Sequence, residues 1–288
     1  MTLLRERLGG AAVLGIPLIW IAVFMLLPYA IIATYSFWIK QYPTFVPAFQ
    51  FGNYLNLFTD PQYSKVLIRT LKVSLLVSFF AFLLGYPFAY FLAFRCRSQA
   101  LRTWLYMAVI APLWVSYLLR AYVWKTILGT EGILNSFLMS VGILSEPSDI
   151  FLYNQFAMVV TLTYIFIPFM VMPVYTSLEK IPRNLVEASA DLGMRPIPTF
   201  LRITLPLSMP GVAAGFTMTF CLTFGDFVAP FLVGGPDGNL VASVIVTQFG
   251  TALNWPMGSA LAIFVLVIVL AVLSLSDRVE RAFSPKEA

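Results

Sequence analysis

The sequence predicts an all-α integral membrane protein with six membrane-spanning helices. Three observations carry that expectation. Charged residues make up 11% of the 288 residues, against about 25% in soluble domains. Mean hydropathy is +0.87. Six segments, 11–37, 73–94, 103–124, 156–178, 207–233 and 257–276, each approach or exceed the ~20 apolar residues that a helix needs to cross the hydrocarbon. No polar stretch is long enough to fold as a soluble domain, so 1–288 reads as a single transmembrane domain.

The first segment follows Arg5 and Arg7 and carries no charge from Leu8 to Ile39. That is too long for the apolar region of a cleaved signal, so an uncleaved first span is expected. In the third, Trp104 and Trp124 would lie ~30 Å apart on a continuous helix, one at each interface. The run Ile133–Leu144 is too short to span and predicts an amphipathic or loop helix. Pro28, Pro87, Pro112, Pro168, Pro173, Pro210 and Pro230 fall inside spans. Membrane helices tolerate such prolines where neighbours or a cavity satisfy the freed carbonyl, and none of the seven stands out. Gly211 and Gly215 open the fifth span as a GxxxG face, which predicts close backbone packing.

Basic residues set the orientation. Twelve of the eighteen lie on one set of flanks: Arg5, Arg7, Arg95, Arg97, Arg102, Lys180, Arg183, Arg195, Arg202, Arg278, Arg281 and Lys286. Lys40, Lys65, Arg69, Lys72, Arg120 and Lys125 lie on the other side or at span ends. Loop 128–155 holds Glu131, Glu146 and Asp149, and loop 234–256 holds Asp237, with no base in either. Both termini are therefore expected in the cytoplasm. The net charge of +5 serves topology and not nucleic acid. Without histidine, imidazole chemistry is excluded. Cys96 and Cys221 offer neither a disulfide framework nor metal-ligand spacing.

The cytoplasmic loop 179–206 is the most informative stretch. Pro182 suits a first helical turn and Gly193 a stop, predicting a helix of about ten residues. Leu185, Ala188 and Leu192 share one face. Ala188, Ser189 and Ala190 keep the helix thin enough to enter a groove, and Glu187 and Asp191 offer acceptors to a basic partner. A second amphipathic element, Thr199–Pro206, leads into span five.

The pattern Glu187-Ala188-Ser189, then Gly193, then Ile203-Thr204-Leu205-Pro206 resembles the EAA loop of ABC-importer permeases, with Ser189 where alanine is usual. The stretches Pro112–Arg120 and Gly225–Asp237, and the Trp255-Pro256 pair, are similar to putrescine and spermidine permeases. The resemblance implies a type I ABC-importer permease architecture over 1–288, a multi-pass chain of the cell inner membrane. Glu187, Ala188, Ser189, Asp191, Gly193, Ile203, Leu205 and Pro206 would form the coupling site for a cytoplasmic ATPase. Two ATPase subunits, a second, related permease subunit and an extracytoplasmic solute-binding protein would complete the system, with 234–239 as a docking or gating segment. This chain would be no enzyme and hold no cofactor. It has no GxxxxGK[ST] phosphate loop, so ATP and magnesium belong to the partner. The solute would be a polyamine, or else another small organic solute such as an amino-acid-like compound.

Two ionisable residues fall well inside spans, Arg120 and Asp226. A charge in hydrocarbon costs at least ~2.5 kcal/mol and calls for a partner, cavity or water. Along continuous helices, Arg120 would lie ~26 Å beyond Thr103 and Asp226 ~28 Å beyond Leu207, both near the outer side. Two readings fit. Asp226 faces a substrate path with Trp114, Tyr117, Arg120 and Phe227, where aromatic faces add cation–π attraction; Tyr122 and Phe224 are further candidates. Alternatively, Arg120 and Asp226 form a structural pair, or snorkel to the outer interface. An ion-coupled secondary transporter would place such groups at the midplane and leaves the loop at 179–206 unexplained. A membrane enzyme would need a cluster of reactive side chains, and none is apparent.

Overall fold

The computed structural model describes residues 15, 17–41, 43–236 and 238–283. Arg5, Arg7, Asp237, Lys286 and the first residues of the 11–37 segment lie outside them.

The chain is built of helices and one hairpin. The first span is α1, Pro17–Tyr35. Strands β1, Ile39–Gln41, and β2, Thr44–Val46, pair antiparallel with Ile39 opposite Val46. Helix α2, Gly52–Thr59, precedes the long α3, Pro61–Arg95. Then come α4, Gln99–Ile110, α5, Tyr117–Leu128, and the short α6, Ile133–Ser140. Helix α7 is Gln155–Glu179, α8 is Arg183–Asp191 and α9 is Pro196–Phe224. The chain closes with α10, Val228–Val233, α11, Val241–Phe249, and α12, Trp255–Phe283. Among the described residues five helices are long and apolar enough to cross a bilayer, or six if the bent pair starting with α4 counts as one span.

Two compact units are found in the chain. The first comprises 1–64 and 244–267. Asn53 Nδ2 donates to the carbonyls of Ser36 (2.9 Å) and Trp38 (3.0 Å), which closes the end of α1. Tyr54 donates to Ser36 Oγ at 2.7 Å. Lys40 Nζ donates to the Ala252 carbonyl at 2.7 Å, and the rings of Tyr35, Phe45 and Trp255 meet within 6.3 Å.

The second unit comprises 65–243 and 268–288, and its centre is the pairing of α7 with α9. A Cβ at Gly211 would lie 2.4 Å from both the Pro173 carbonyl and Ser177 Cβ, and one at Gly215 would strike Met170. The two backbones touch there, as the GxxxG spacing predicts. Lipid tails are as apolar as leucine, so this approach is stabilised by van der Waals packing and not by water exclusion. Helix α3 joins the pair through Tyr86, whose hydroxyl shares a hydrogen bond of 2.9 Å with Ser208. At the opposite end Asn135, fully buried, donates to the carbonyls of Gly129 and Ser148 and accepts from Ser148 N–H, all at 3.0 Å. This ties α6 to the connection before α7.

Two expectations need correction. Residues 103–124 are not one straight helix. Helix α4 stops at Ile110, Pro112 sits in a 3₁₀ turn, Val115 and Ser116 are extended, and the chain bends by 97° before continuing. Proline has no N–H to continue the ladder. The ~30 Å between Trp104 and Trp124, and the along-helix depth of Arg120, therefore do not hold. Residues 207–233 are also interrupted. Helix α9 ends at Phe224, and α10 restarts at Val228 with Asp226 Oδ1 accepting from Ala229 N–H at 2.9 Å. A carboxylate that caps the next helix competes with continuing the previous one.

Candidate functional site: a coupling helix and a buried carboxylate at opposite ends of one helix

The loop expected to carry coupling folds as α8, nine residues long. Pro182 stands just before its first residue, in extended conformation. At the other end Gly193 adopts φ +78°, a conformation that costs glycine little and other residues more. Its N–H donates to the Ala190 carbonyl, and Met194 N–H to that of Ser189, the paired bonds of a Schellman stop.

Ser189 is the residue of α8 that turns inward. It is 3% exposed, donates to the Val186 carbonyl at 2.8 Å and shares a 3.0 Å hydrogen bond with Thr199 Oγ1. Leu185, Glu187, Ala188, Asp191 and Leu192 face outward, with Leu192 84% exposed. Glu187 forms no ion pair among the described residues. It borders a cavity of about 330 Å³ with Tyr90, Phe94, Arg95, Arg183 and Phe200. Arg183 reaches the Ala93 carbonyl at 3.4 Å, and Arg102 pairs with Glu179 at 3.6 Å. Ile203, Leu205 and Pro206 are half-buried at the entry to the membrane portion of α9. There Leu205 N–H bonds back to the Phe200 carbonyl, five residues earlier, in a π-type turn. Such turns recur at functional positions.

The second site lies past the far end of α9. Leu205–Phe224 is 20 residues long, ~30 Å of helix, which is the hydrocarbon thickness. Asp226 and α8 thus lie toward opposite ends of the membrane-length helix. Asp226 and Arg120 are each 8% exposed. No ion pair joins them among the described residues, so the direct structural pair does not form. The Tyr117 hydroxyl donates to Asp226 Oδ2. Arg120 instead donates through Nη1 to the Ile165 carbonyl at 3.2 Å, its Cζ 5.8 Å from the Tyr117 ring centroid. The Tyr117 ring lies 6.2 Å from that of Phe166.

Tyr117, Arg120 and Asp226 are thus brought together. Trp114 is 80% exposed and Phe227 about half exposed, both outside the buried cluster. Tyr122 lies by Lys125, and Phe224 stacks on Phe220 in the core. Ile165 and Thr199 were not foreseen. A backbone carbonyl as an arginine's partner leaves no mark in sequence, and Thr199 is an ordinary residue beside prolines.

Comparison with known proteins places this geometry. Residues 85–287 match the family of binding-protein-dependent transport system inner membrane components. The chain belongs to this family. Over 268 residues it is 37% identical to the spermidine/putrescine transport system permease protein PotB of Escherichia coli K12, covering 93% of this chain and 96% of that protein. It is 34% identical to the inner membrane ABC transporter permease protein YdcU of the same strain, covering 81% and 76%. Among solved structures, a bacterial alginate ABC transporter in complex with an alginate pentasaccharide-bound periplasmic protein superposes with a TM-score of 0.78 at 20% identity, over 99% of this chain and 97% of that one. An inward-facing MetNI methionine ABC transporter gives 0.57 at 19% identity, over 79% and 100%. The fold is that of ABC-importer permeases. Membership makes the chain a multi-pass inner membrane transport component and not an enzyme.

Proposed function

We propose that this chain is the permease subunit of an ATP-driven, binding-protein-dependent importer of polyamine-like cations. The observation that carries the reading is α8: a rigidly capped helix that buries Ser189 and turns Leu185, Ala188 and Leu192 outward beside an unpaired Glu187. Such a stripe gains by entering a groove on a partner. The partner is a cytoplasmic ATPase, two copies of which close on ATP and pull α8 of this chain and its counterpart in a second, related permease. The pore then alternates between outward- and inward-facing states. Both termini and 179–206 are cytoplasmic, and an extracytoplasmic binding protein delivers solute to the opposite face.

The polyamine assignment draws on the relatives named for spermidine and putrescine, and on Asp226. A buried carboxylate with aromatic neighbours attracts organic ammonium groups. One observation favours a second reading, an amino-acid-like solute: Arg120 is buried with its Nε unpartnered, and could take a carboxylate. The deciding experiment reconstitutes the complex with its ATPase and binding protein in proteoliposomes. Spermidine or putrescine is expected to stimulate ATP hydrolysis and to enter the vesicle. Stimulation by amino acids alone would favour the second reading, and no solute-dependent hydrolysis would reject both.

A further inference from the structure

Tyr117 and Asp226 each sit where a span is interrupted. Tyr117 is the first residue of α5, directly after the extended Val115 and Ser116 at the 97° bend. Asp226 lies in the gap between α9 and α10. Their hydrogen bond therefore joins two helix breaks that are more than a hundred residues apart in sequence. Broken helices are where transporters bind solute and rearrange, because unpaired backbone is tolerated only beside protein or a cavity.

We infer that Tyr117 is a positioning residue: it occupies Asp226 while the path is empty and is displaced by an ammonium group of the solute, which releases one break from the other. This rests on the reading of Asp226 as part of the path. The chemistry supports displacement. The tyrosine hydroxyl brings only a dipole to the carboxylate, whereas a protonated amine brings a full positive charge and adds ion-pair attraction, which is strengthened out of water. The nearby cation does not occupy the carboxylate: Arg120 forms no ion pair with Asp226 among the described residues, and its Nη1 donates to the Ile165 carbonyl while its Cζ lies 5.8 Å from the Tyr117 ring centroid. Ala229 N–H holds the other oxygen, Oδ1, and keeps the carboxylate oriented while Oδ2 changes partner. A ligand shifts a conformational equilibrium only through different affinity for the two states. Exchange on Oδ2 supplies that difference, because Tyr117 and the solute compete for the same oxygen.

The test uses the whole reconstituted complex. In Tyr117→Phe the carboxylate is uncovered and the breaks are unlinked. Losing a hydrogen bond to a carboxylate is worth about ten- to a hundredfold in an equilibrium. Basal ATP hydrolysis without solute is expected to rise, and half-saturating spermidine to fall, each by about that factor. Unchanged values of both would overturn the latch. Asp226→Asn separates this from the underlying reading. If it transports normally, Asp226 is not on the path. If it loses uptake while Tyr117→Phe behaves as wild type, the path stands and the latch fails. Should Tyr117→Phe not assemble, spin labels at Ser116→Cys and Val228→Cys with Tyr117 intact decide. Their separation is expected to increase when spermidine is added with the loaded binding protein, and an unchanged distance overturns the proposal.

Discussion

Ser189 and Thr199 share a buried hydrogen bond of 3.0 Å that fastens α8 to the first turn of α9. Each hydroxyl has one proton, which goes either to the other hydroxyl or to a backbone carbonyl, Val186 for Ser189 and Arg195 for Thr199, so Thr199 keeps a partner if Ser189 is lost. Ser189→Ala is therefore expected to cost only about 1 kcal/mol. Ser189→Leu has no room on the buried face and is expected to cost about 1–3 kcal/mol. Thermal unfolding of the purified protein measures both, and ATPase co-purification should weaken only for leucine.

Gly211 is where α7 and α9 touch. Gly211→Ala puts a methyl 2.4 Å from the Pro173 carbonyl, and a backbone atom cannot rotate away. The helices must separate, at an expected cost of about 1–3 kcal/mol. A lowered melting temperature in detergent is the measurement. The same change at Gly225, whose added Cβ meets its nearest atom at an ordinary 3.5 Å, serves as control and should shift it less.

Glu187 makes no ion pair among the described residues. Glu187→Lys should leave the stability within about 0.5 kcal/mol of wild type, as surface substitutions do. Uptake should fall at least tenfold, because removing one partner of a charged contact at an interface costs about 2–5 kcal/mol. Parallel ATPase pull-down and uptake assays test this. Normal uptake would remove Glu187 from the coupling surface.

Asn135 uses both its amide groups on Gly129 and Ser148 while fully buried. Asn135→Ala leaves these backbone groups unpaired and is expected to cost about 3 kcal/mol. Protease nicking between α6 and α7, followed over time, should become faster.

The proposed orientation puts Asp191 and Glu146 on opposite sides of the membrane. In a background lacking Cys96 and Cys221, a cysteine at 146 should react with an impermeant maleimide from the outside. One at 191 should react only after permeabilisation. The reverse pattern would invert the topology and detach α8 from any cytosolic ATPase.

Helix α8 was legible because its signals are local. Pro182 and Gly193 mark its ends, and the three-and-four spacing of Leu185, Ala188 and Leu192 defines a face. The glycine pair at 211 and 215 was similarly readable, since only a residue without Cβ permits that approach. What α8 buries was less visible. Ser189 read as a small substitute for alanine, yet its hydroxyl is the inward anchor, and its partner Thr199 is identified only by folding. At the other site, Arg120 and Asp226 stood out as charges in apolar runs. Their geometry was misjudged because it assumed unbroken helices.

Composition and periodicity by themselves determined that this chain lives in lipid, which stretches can cross it, and which loop carries a short amphipathic helix. Each of these depends on the transfer of short segments between water and hydrocarbon, or on residues within a few turns of one another. Tertiary structure alone decided which proline breaks its helix. Pro87, Pro168, Pro173 and Pro210 stay inside continuous helices, while Pro112 lies at a 97° bend. A missing N–H costs little where neighbours satisfy the freed carbonyl, and those neighbours come from distant parts of the chain. For the same reason only folding could put Tyr117, and not Arg120, on the carboxylate of Asp226.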